Sequence, residues 1–155
     1  MLKRLTTSRG GNQGFTIPEI LITVLILLPI FIGTMYVFIQ CMGFRAMARN
    51  SSYAVLACKD KMAEIENTGF AGIAGTFDNT TFTSADVTDG KGVVYVDDSQ
   101  PNVVGVTVSF SWKERNGRLF GEDADLDGQI DNGEDINGNN MLDSPVEFTT
   151  VIYDR

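Results

Sequence analysis

The stretch Gly14–Met42, GFTIPEILITVLILLPIFIGTMYVFIQCM, decides the fold. From Ile20 to Ile39 it holds 20 residues without a charge, most of them Ile, Leu, Val and Phe. At a helical rise of about 1.5 Å per residue, such a run spans the roughly 30 Å of bilayer hydrocarbon. Lys3, Arg4 and Arg9 precede the span, and no base is among the first few residues after it. That asymmetry places the N-terminus in the cytoplasm and the remainder on the far side of the membrane.

Outward from the span, residues 1–14 (MLKRLTTSRGGNQG) read as a short basic leader. A secretory signal has a shorter apolar core followed by a small-residue cleavage site. Here the end of the span (Gln40, Cys41, Met42, Gly43) runs on into helix-forming sequence instead. Glu19 places a carboxylate at the edge of the span, where it is costly unless solvated by headgroups and water or paired. Pro29, inside the span, removes a backbone donor, so a kink or local opening is expected there. Phe44–Asn67 continues as helix, rich in Ala, Met, Leu, Lys and Glu, with an imperfect apolar face of Tyr53, Leu56, Ala57, Met62 and Ile65. Asn67-Thr68-Gly69 supplies the stop. An unbroken helix from Phe15 to Asn67 is about 80 Å long.

Gly14-Phe15-Thr16-Ile17-Pro18-Glu19 resembles the cleavage and methylation motif of type IV prepilins. The motif's parts coincide here: a basic leader, a Gly-Phe junction, Glu as fifth residue of the mature chain, and a following span. Leu56-Ala57-Cys58-Lys59-Asp60-Lys61-Met62-Ala63-Glu64-Ile65 also resembles a helical segment of minor pilins and of minor pseudopilins of type II secretion. The resemblance implies that a prepilin peptidase cuts between Gly14 and Phe15 and that the new Phe15 amine is N-methylated. It further implies that Glu19 pairs with the Phe15 amine of a neighbouring subunit during assembly. The implied partners are other pilin or pseudopilin subunits and an inner-membrane assembly platform. The implied location is the bacterial inner membrane, single-pass, and then a periplasmic or surface filament. Pilin-like filaments also melt their helix around a proline placed like Pro29.

The organisation expected is therefore a leader (1–14), a transmembrane half-helix (15–42), an extracytoplasmic half-helix (43–68) and a small β-rich head (69–155). Residues 70–91, rich in Gly, Thr, Ser, Asp and Asn, read as a long loop. Three strands follow at Gly92–Asp97, Asn102–Trp112 and Val146–Tyr153. Val104, Val106, Val108, Phe110 and Trp112 alternate onto one face, suited to covering a helix. Asn116-Gly117 marks a turn. The fold class is α+β: a long N-terminal helix packed on a small antiparallel sheet.

Residues 121–145 hold eight carboxylates (Glu122, Asp123, Asp125, Asp127, Asp131, Glu134, Asp135, Asp143) and no base, as many charges as the net −8 of the whole chain. Residues 123–134, DADLDGQIDNGE, fit the calcium-loop pattern D-x-D-x-D-G-x5-E. Calcium takes six to eight hard oxygens, which a wrapping loop supplies from alternate residues. The expected ligands are Asp123, Asp125, Asp127, the Gln129 carbonyl, Asp131 and bidentate Glu134, with Gly128 at the sharp turn and Ile130 anchoring the loop to the core. The pattern recurs twelve residues on, as a weaker second site at Asp135, Asn137, Asn139, Met141 and Asp143. There Asn140 stands for the glycine, Leu142 for Ile130, and Val146 where the bidentate Glu belongs, beside Glu147. No helices flank the loop, so a structural calcium that ties down the loop and the last strand is expected rather than a helix-swinging switch.

The acidic balance argues against nucleic acid as a partner. Cys41 and Cys58 stand 17 residues apart on one expected helix. About 25 Å then separates them, beyond the roughly 7 Å a disulfide tolerates, so each is expected to be a packing residue. The chain has no histidine and no nucleophile–base constellation, so no enzyme activity is expected. The leading expectation is a structural minor subunit of a type IV pilus or type II pseudopilus; the alternative is a membrane-anchored calcium-dependent binding module that forms no filament.

Overall fold

A computed structural model describes residues 14–154. The expected leader, apart from Gly14, lies outside the described residues, as does Arg155. The described chain divides into two compact units between Gly43 and Phe44.

The dominant element is helix α1, Ile17–Glu66, 50 residues long. It starts where the Thr16 carbonyl accepts the N–H groups of Glu19 and Ile20, at 3.1 and 3.2 Å. Pro18 falls in this first turn, where a missing N–H removes no helical bond. In the first unit every described residue is exposed, including Leu25, Phe31, Phe38 and Ile39. Such a helix has no face suited to water, and α1 is long and apolar enough to cross a membrane. Its hydroxyls are satisfied within the helix: Thr23 Oγ1 donates to the Glu19 carbonyl at 2.7 Å and Thr34 Oγ1 to that of Phe31 at 2.8 Å. Polar groups closed in this way need no water inside a bilayer. The helix runs through Pro29 without interruption.

In the second unit, α1 buries Ala54, Cys58, Met62 and Ile65. Their spacing of four, four and three residues is one helical face. This face is rotated from the expected one, because Leu56 is 50% exposed. Ala54 and Cys58 lie on the buried face, and Leu56, two residues from each, is turned away from it. Burial pushes the Cys58 thiol up to about 12, the behaviour of an inert packing residue. Cys41 is exposed, and both cysteines are free. The helix stops as expected: the Asn67 backbone and side-chain amides both donate to the Ala63 carbonyl, and the Thr68 hydroxyl donates to that of Glu64.

Residues 70–91 are not a loop. They form a 3₁₀ turn (Phe70–Gly72), helix α2 (Ile73–Phe77), strand β1 (Thr80–Ser84) and the start of strand β2 (Val87–Gln100). The polar composition hides Ile73, Phe77 and Val87, which are buried. Pairing with β2, at Thr80↔Val94 and Phe82↔Gly92, makes a strand of an otherwise polar segment. Strand formation of this kind is a tertiary effect that local propensity does not carry.

Strand β3 (Val103–Lys113) is the centre of the sheet. β2 lies antiparallel on one edge, from Gly90↔Trp112 to Gln100↔Val103. Two strands share its other edge: β4 (Leu119–Phe120) pairs with Trp112 and Lys113, and β5 (Glu147–Tyr153) pairs with Val103–Ser109. The turn at Asn116-Gly117 closes with Glu114 N–H on the Arg118 carbonyl at 2.8 Å, Gly117 having φ 83°. Val104, Val106, Val108, Phe110 and Trp112 form one core with the buried face of α1, as their alternation predicts.

The opposite face of the sheet is covered too. Val93, Ser109 and Ser111 are buried, beneath the segment between β4 and β5. Ser109 Oγ donates to the Leu142 carbonyl at 2.8 Å, and the Leu142 N–H donates to Tyr95 Oη at 2.8 Å. Gly121 lies so close that an added Cβ would stand 2.1 Å from Ser111 Oγ. The acidic segment is thus a second layer on the sheet.

Two glycines in the strands make opposite demands. An alanine Cβ at Gly92 would stand 2.2 Å from the Phe82 ring, whereas at Gly105 its nearest neighbour is Asp97 Cβ at 3.7 Å. Gly92→Ala is expected to destabilise the head by about 1–3 kcal/mol through overpacking. Gly105→Ala should be neutral or slightly stabilising. Urea unfolding of the detergent-solubilised chain, followed by Trp112 fluorescence, distinguishes the two.

Candidate metal centre

The loop is built on backbone conformations its sequence singles out. Gly121, Gly128 and Gly133 have φ of 110°, 80° and 98°, and Leu126 has φ 62°. Gly128 has a second reason to be glycine, since an added Cβ would meet Thr81 Cγ2 of β1 at 2.4 Å. Side-chain oxygens then hold the backbone in successive turns. Asp125 Oδ1 accepts the Asp127 N–H at 3.2 Å and Asp127 Oδ1 the Gln129 N–H at 2.7 Å. Asp123 Oδ2 accepts the Gly128 N–H at 3.0 Å. Glu134 closes the ring: its two oxygens accept the N–H groups of Ala124 at 2.8 Å and Asp131 at 3.0 Å.

These turns converge the carboxylates. One oxygen each from Asp123, Asp125 and Glu134 lie within 4.8 Å of one another, and so do oxygens from Asp125, Asp127 and Asp131. Five of the six expected ligands therefore fall into two triads that share Asp125. The sixth, Gln129, sits beside them, with its N–H on Asp127. Asp123 has no exposed surface, Glu134 is buried, and Asp123 Oδ1 is the buried side-chain oxygen without a hydrogen-bond partner among the described residues. A buried carboxylate oxygen left unpaired is strongly unfavourable. Desolvation raises the Asp123 carboxyl above the ordinary aspartate value. N–H donors at Leu126 and Gly128 oppose this, and the charges of Glu134 and Asp125 add to it. Among the described residues the one ion pair is Lys61–Glu64, so none of the described cations pairs with the loop's carboxylates. A concentrated set of carboxylate oxygens with no imidazole or thiolate suits a hard divalent cation, calcium before the transition metals.

The second repeat is brought into register with the first. Asn137 Oδ1 accepts the Asn139 N–H at 3.0 Å, Asn139 Oδ1 the Met141 N–H at 2.9 Å, and Asp135 Oδ2 the Asn140 N–H at 2.9 Å. Asn140, in the place of Gly128, has φ 59°, a conformation asparagine tolerates best among non-glycine residues. Glu122 clamps the two repeats: its N–H donates to the Asp143 carbonyl at 2.9 Å, and its carboxylate accepts the Asp143 N–H at 3.1 Å.

One expectation is reversed. Ile130 does not anchor the loop; it is 42% exposed, whereas Leu142, its counterpart in the second repeat, is 1% exposed. The second repeat lies directly on the sheet, where Ser109 and Tyr95 bind the Leu142 backbone. The twelve-residue period did pair Ile130 with Leu142, so the signal was present but pointed at the wrong copy. Tyr95, Ser109 and Glu122 carried no signal in sequence, because their roles arise from cross-strand neighbours and from the loop's closure.

Calcium is expected to raise the melting temperature of the detergent-solubilised chain, and a chelator to reverse the rise. Asp123→Asn should act with opposite signs in the two states. It should stabilise the metal-free protein, by removing a buried unpaired charge, and weaken calcium binding by about tenfold or more. Because the folded-state Asp123 carboxyl is raised, it holds its proton at a higher pH than a free aspartate. Calcium affinity should therefore start to fall, as pH is lowered, sooner than ordinary carboxylates dictate; calorimetric titrations at several pH values read this directly. No family model, curated protein or solved structure matches this chain.

Proposed function

We propose that this chain is a structural minor subunit of a type IV pilus or type II secretion pseudopilus, processed by prepilin peptidase, with calcium holding its head loop. The observation that carries the reading is helix α1. From Ile17 to Phe44 its apolar side chains are exposed on every side, and the same helix then supplies the face that completes the head's core. A surface of that extent suits lipid before assembly and the equivalent helices of other subunits afterwards. The Gly14–Phe15 junction stands just ahead of the helix, with nothing within 4 Å of where a Gly14 Cβ would lie. Such a junction is open to a protease. Glu19 lies in the first turn, where it can meet the Phe15 amine of a neighbouring subunit. A charge pair formed in an apolar filament interior would set axial register, since any other alignment leaves a charge unpaired. In an extracytoplasmic setting a loop of this kind works as a structural calcium site of micromolar to millimolar affinity.

Intact-mass measurement of the membrane-extracted protein tests this reading. The expected result is loss of residues 1–14 and the gain of one methyl group. A chain that keeps Met1, or one cut after the span, would sink the proposal. Glu19→Ala should leave processing unchanged and reduce incorporation into sheared filaments to background, read by immunoblot.

A further inference from the structure

We propose that the acidic loop binds one calcium ion rather than two, because side-chain amides of Asn137 and Asn139 have taken the ion's place in the second repeat. This rests on the reading of the first repeat as a calcium site. The two repeats share three side-chain-to-backbone turns, at Asp125 and Asn137, at Asp127 and Asn139, and at Asp123 and Asp135, and they differ in the groups those turns present. In the first repeat, oxygens of Asp125, Asp127 and Asp131 face one another. In the second, the corresponding residues are Asn137, Asn139 and Asp143, and they are already bonded. The Asn137 amide donates to Asp143 Oδ2, and the Asn139 amide donates to Asp143 Oδ1 and Oδ2 at 3.2 and 3.3 Å.

The orientation of these amides is set by the loop itself. Each asparagine Oδ1 is committed to a backbone N–H, that of Asn139 at 3.0 Å and that of Met141 at 2.9 Å. Turning an amide over would set NH₂ against N–H, so the donors must face Asp143. In this arrangement neither asparagine keeps a side-chain oxygen free of hydrogen bonds, and the groups turned toward Asp143 are N–H donors, which offer a cation no lone pair. The first ligand position tells the same story. Asp123 keeps one oxygen unpartnered, whereas both oxygens of Asp135 are engaged, Oδ1 by Gly138 and Asn139 N–H at 2.7 and 3.0 Å and Oδ2 by Asn140 N–H. The twelfth position completes the contrast, with buried Glu134 in one repeat and buried Val146 in the other.

The second repeat is thus a clasp that closes without metal, and it is the half that carries Leu142 and leads into β5. The first repeat, with its buried and unpartnered Asp123 oxygen, is the half that needs the ion. Calcium therefore orders Asp123–Glu134, and the attachment of β5 does not depend on it.

Equilibrium dialysis of the full detergent-solubilised chain against radioactive calcium, with thermal melts in chelator, tests the inference. One ion per chain is expected in the wild type. Asn137→Asp/Asn139→Asp restores carboxylates at both positions, and it should raise the count to two while lowering the melting temperature in chelator. Two ions in the wild type overturn the inference and leave the first site standing. No bound ion overturns the first site and the inference with it. If the double variant does not fold, the wild-type count alone decides. A folded double variant that still binds one ion shows that the asparagines do not control occupancy, and the inference falls.

Discussion

The C-terminal half of strand β3, Val108–Trp112, is buried on both faces, and the head is arranged around that requirement. One face is a Val and aromatic stripe that needs apolar cover, which the Ala54–Ile65 face of α1 supplies. The other carries Ser109 and Ser111, whose hydroxyls tolerate burial only if bonded. The acidic loop meets that need with its own backbone, through the Leu142 carbonyl above Ser109. β2, β4 and β5 all pair with this one strand. A small domain gains little from a sheet covered on one face only; a second layer, even a loop, excludes water from the ladder of β3.

Using an acidic loop as a layer raises an electrostatic problem. Carboxylates packed near an apolar sheet are desolvated and repel one another. Tyr95 feels the same field: desolvation by burial raises its hydroxyl, the Leu142 N–H opposes this, and Asp123, Asp143 and Asp135 add to it. The two repeats relieve the repulsion differently. The second repeat has amides, Asn137 and Asn139, where the first has carboxylates, and it satisfies itself. The other half, whose Gly128 lies against Thr81 of β1, keeps its acids and an unpartnered buried oxygen, an arrangement suited to a divalent cation. The two copies thus differ in how their carboxylates are satisfied, one by its own amides and the other leaving a buried oxygen unpartnered.

Much of this was legible in residues 14–67. A run of apolar residues without charge reads as a membrane-length helix regardless of context, and it appears as one. The Val104–Trp112 alternation, the Asn116-Gly117 turn and the D-x-D-x-D-G spacing were equally local and equally readable. The misreadings share a cause. Thr80–Ser84 is a strand because β2 lies beside it, Leu56 is exposed because the Ala54–Ile65 face is the one that joins the core, and Ile130 is exposed while Leu142 is the copy buried on the sheet. Each is a competition between local options that only a neighbour resolves.

By itself, the sequence determined the elements whose physics is local: the apolar helix, the alternating strand, the turn and the spacing of oxygen ligands along the loop. Tertiary structure alone decided which helix face is buried, that two strands share one edge of β3, that the acidic loop lies on the sheet, and which repeat is anchored. The division follows from the range of the forces. Periodicity and ligand spacing are written in neighbouring residues, whereas burial is settled by surfaces that meet only when the chain has folded.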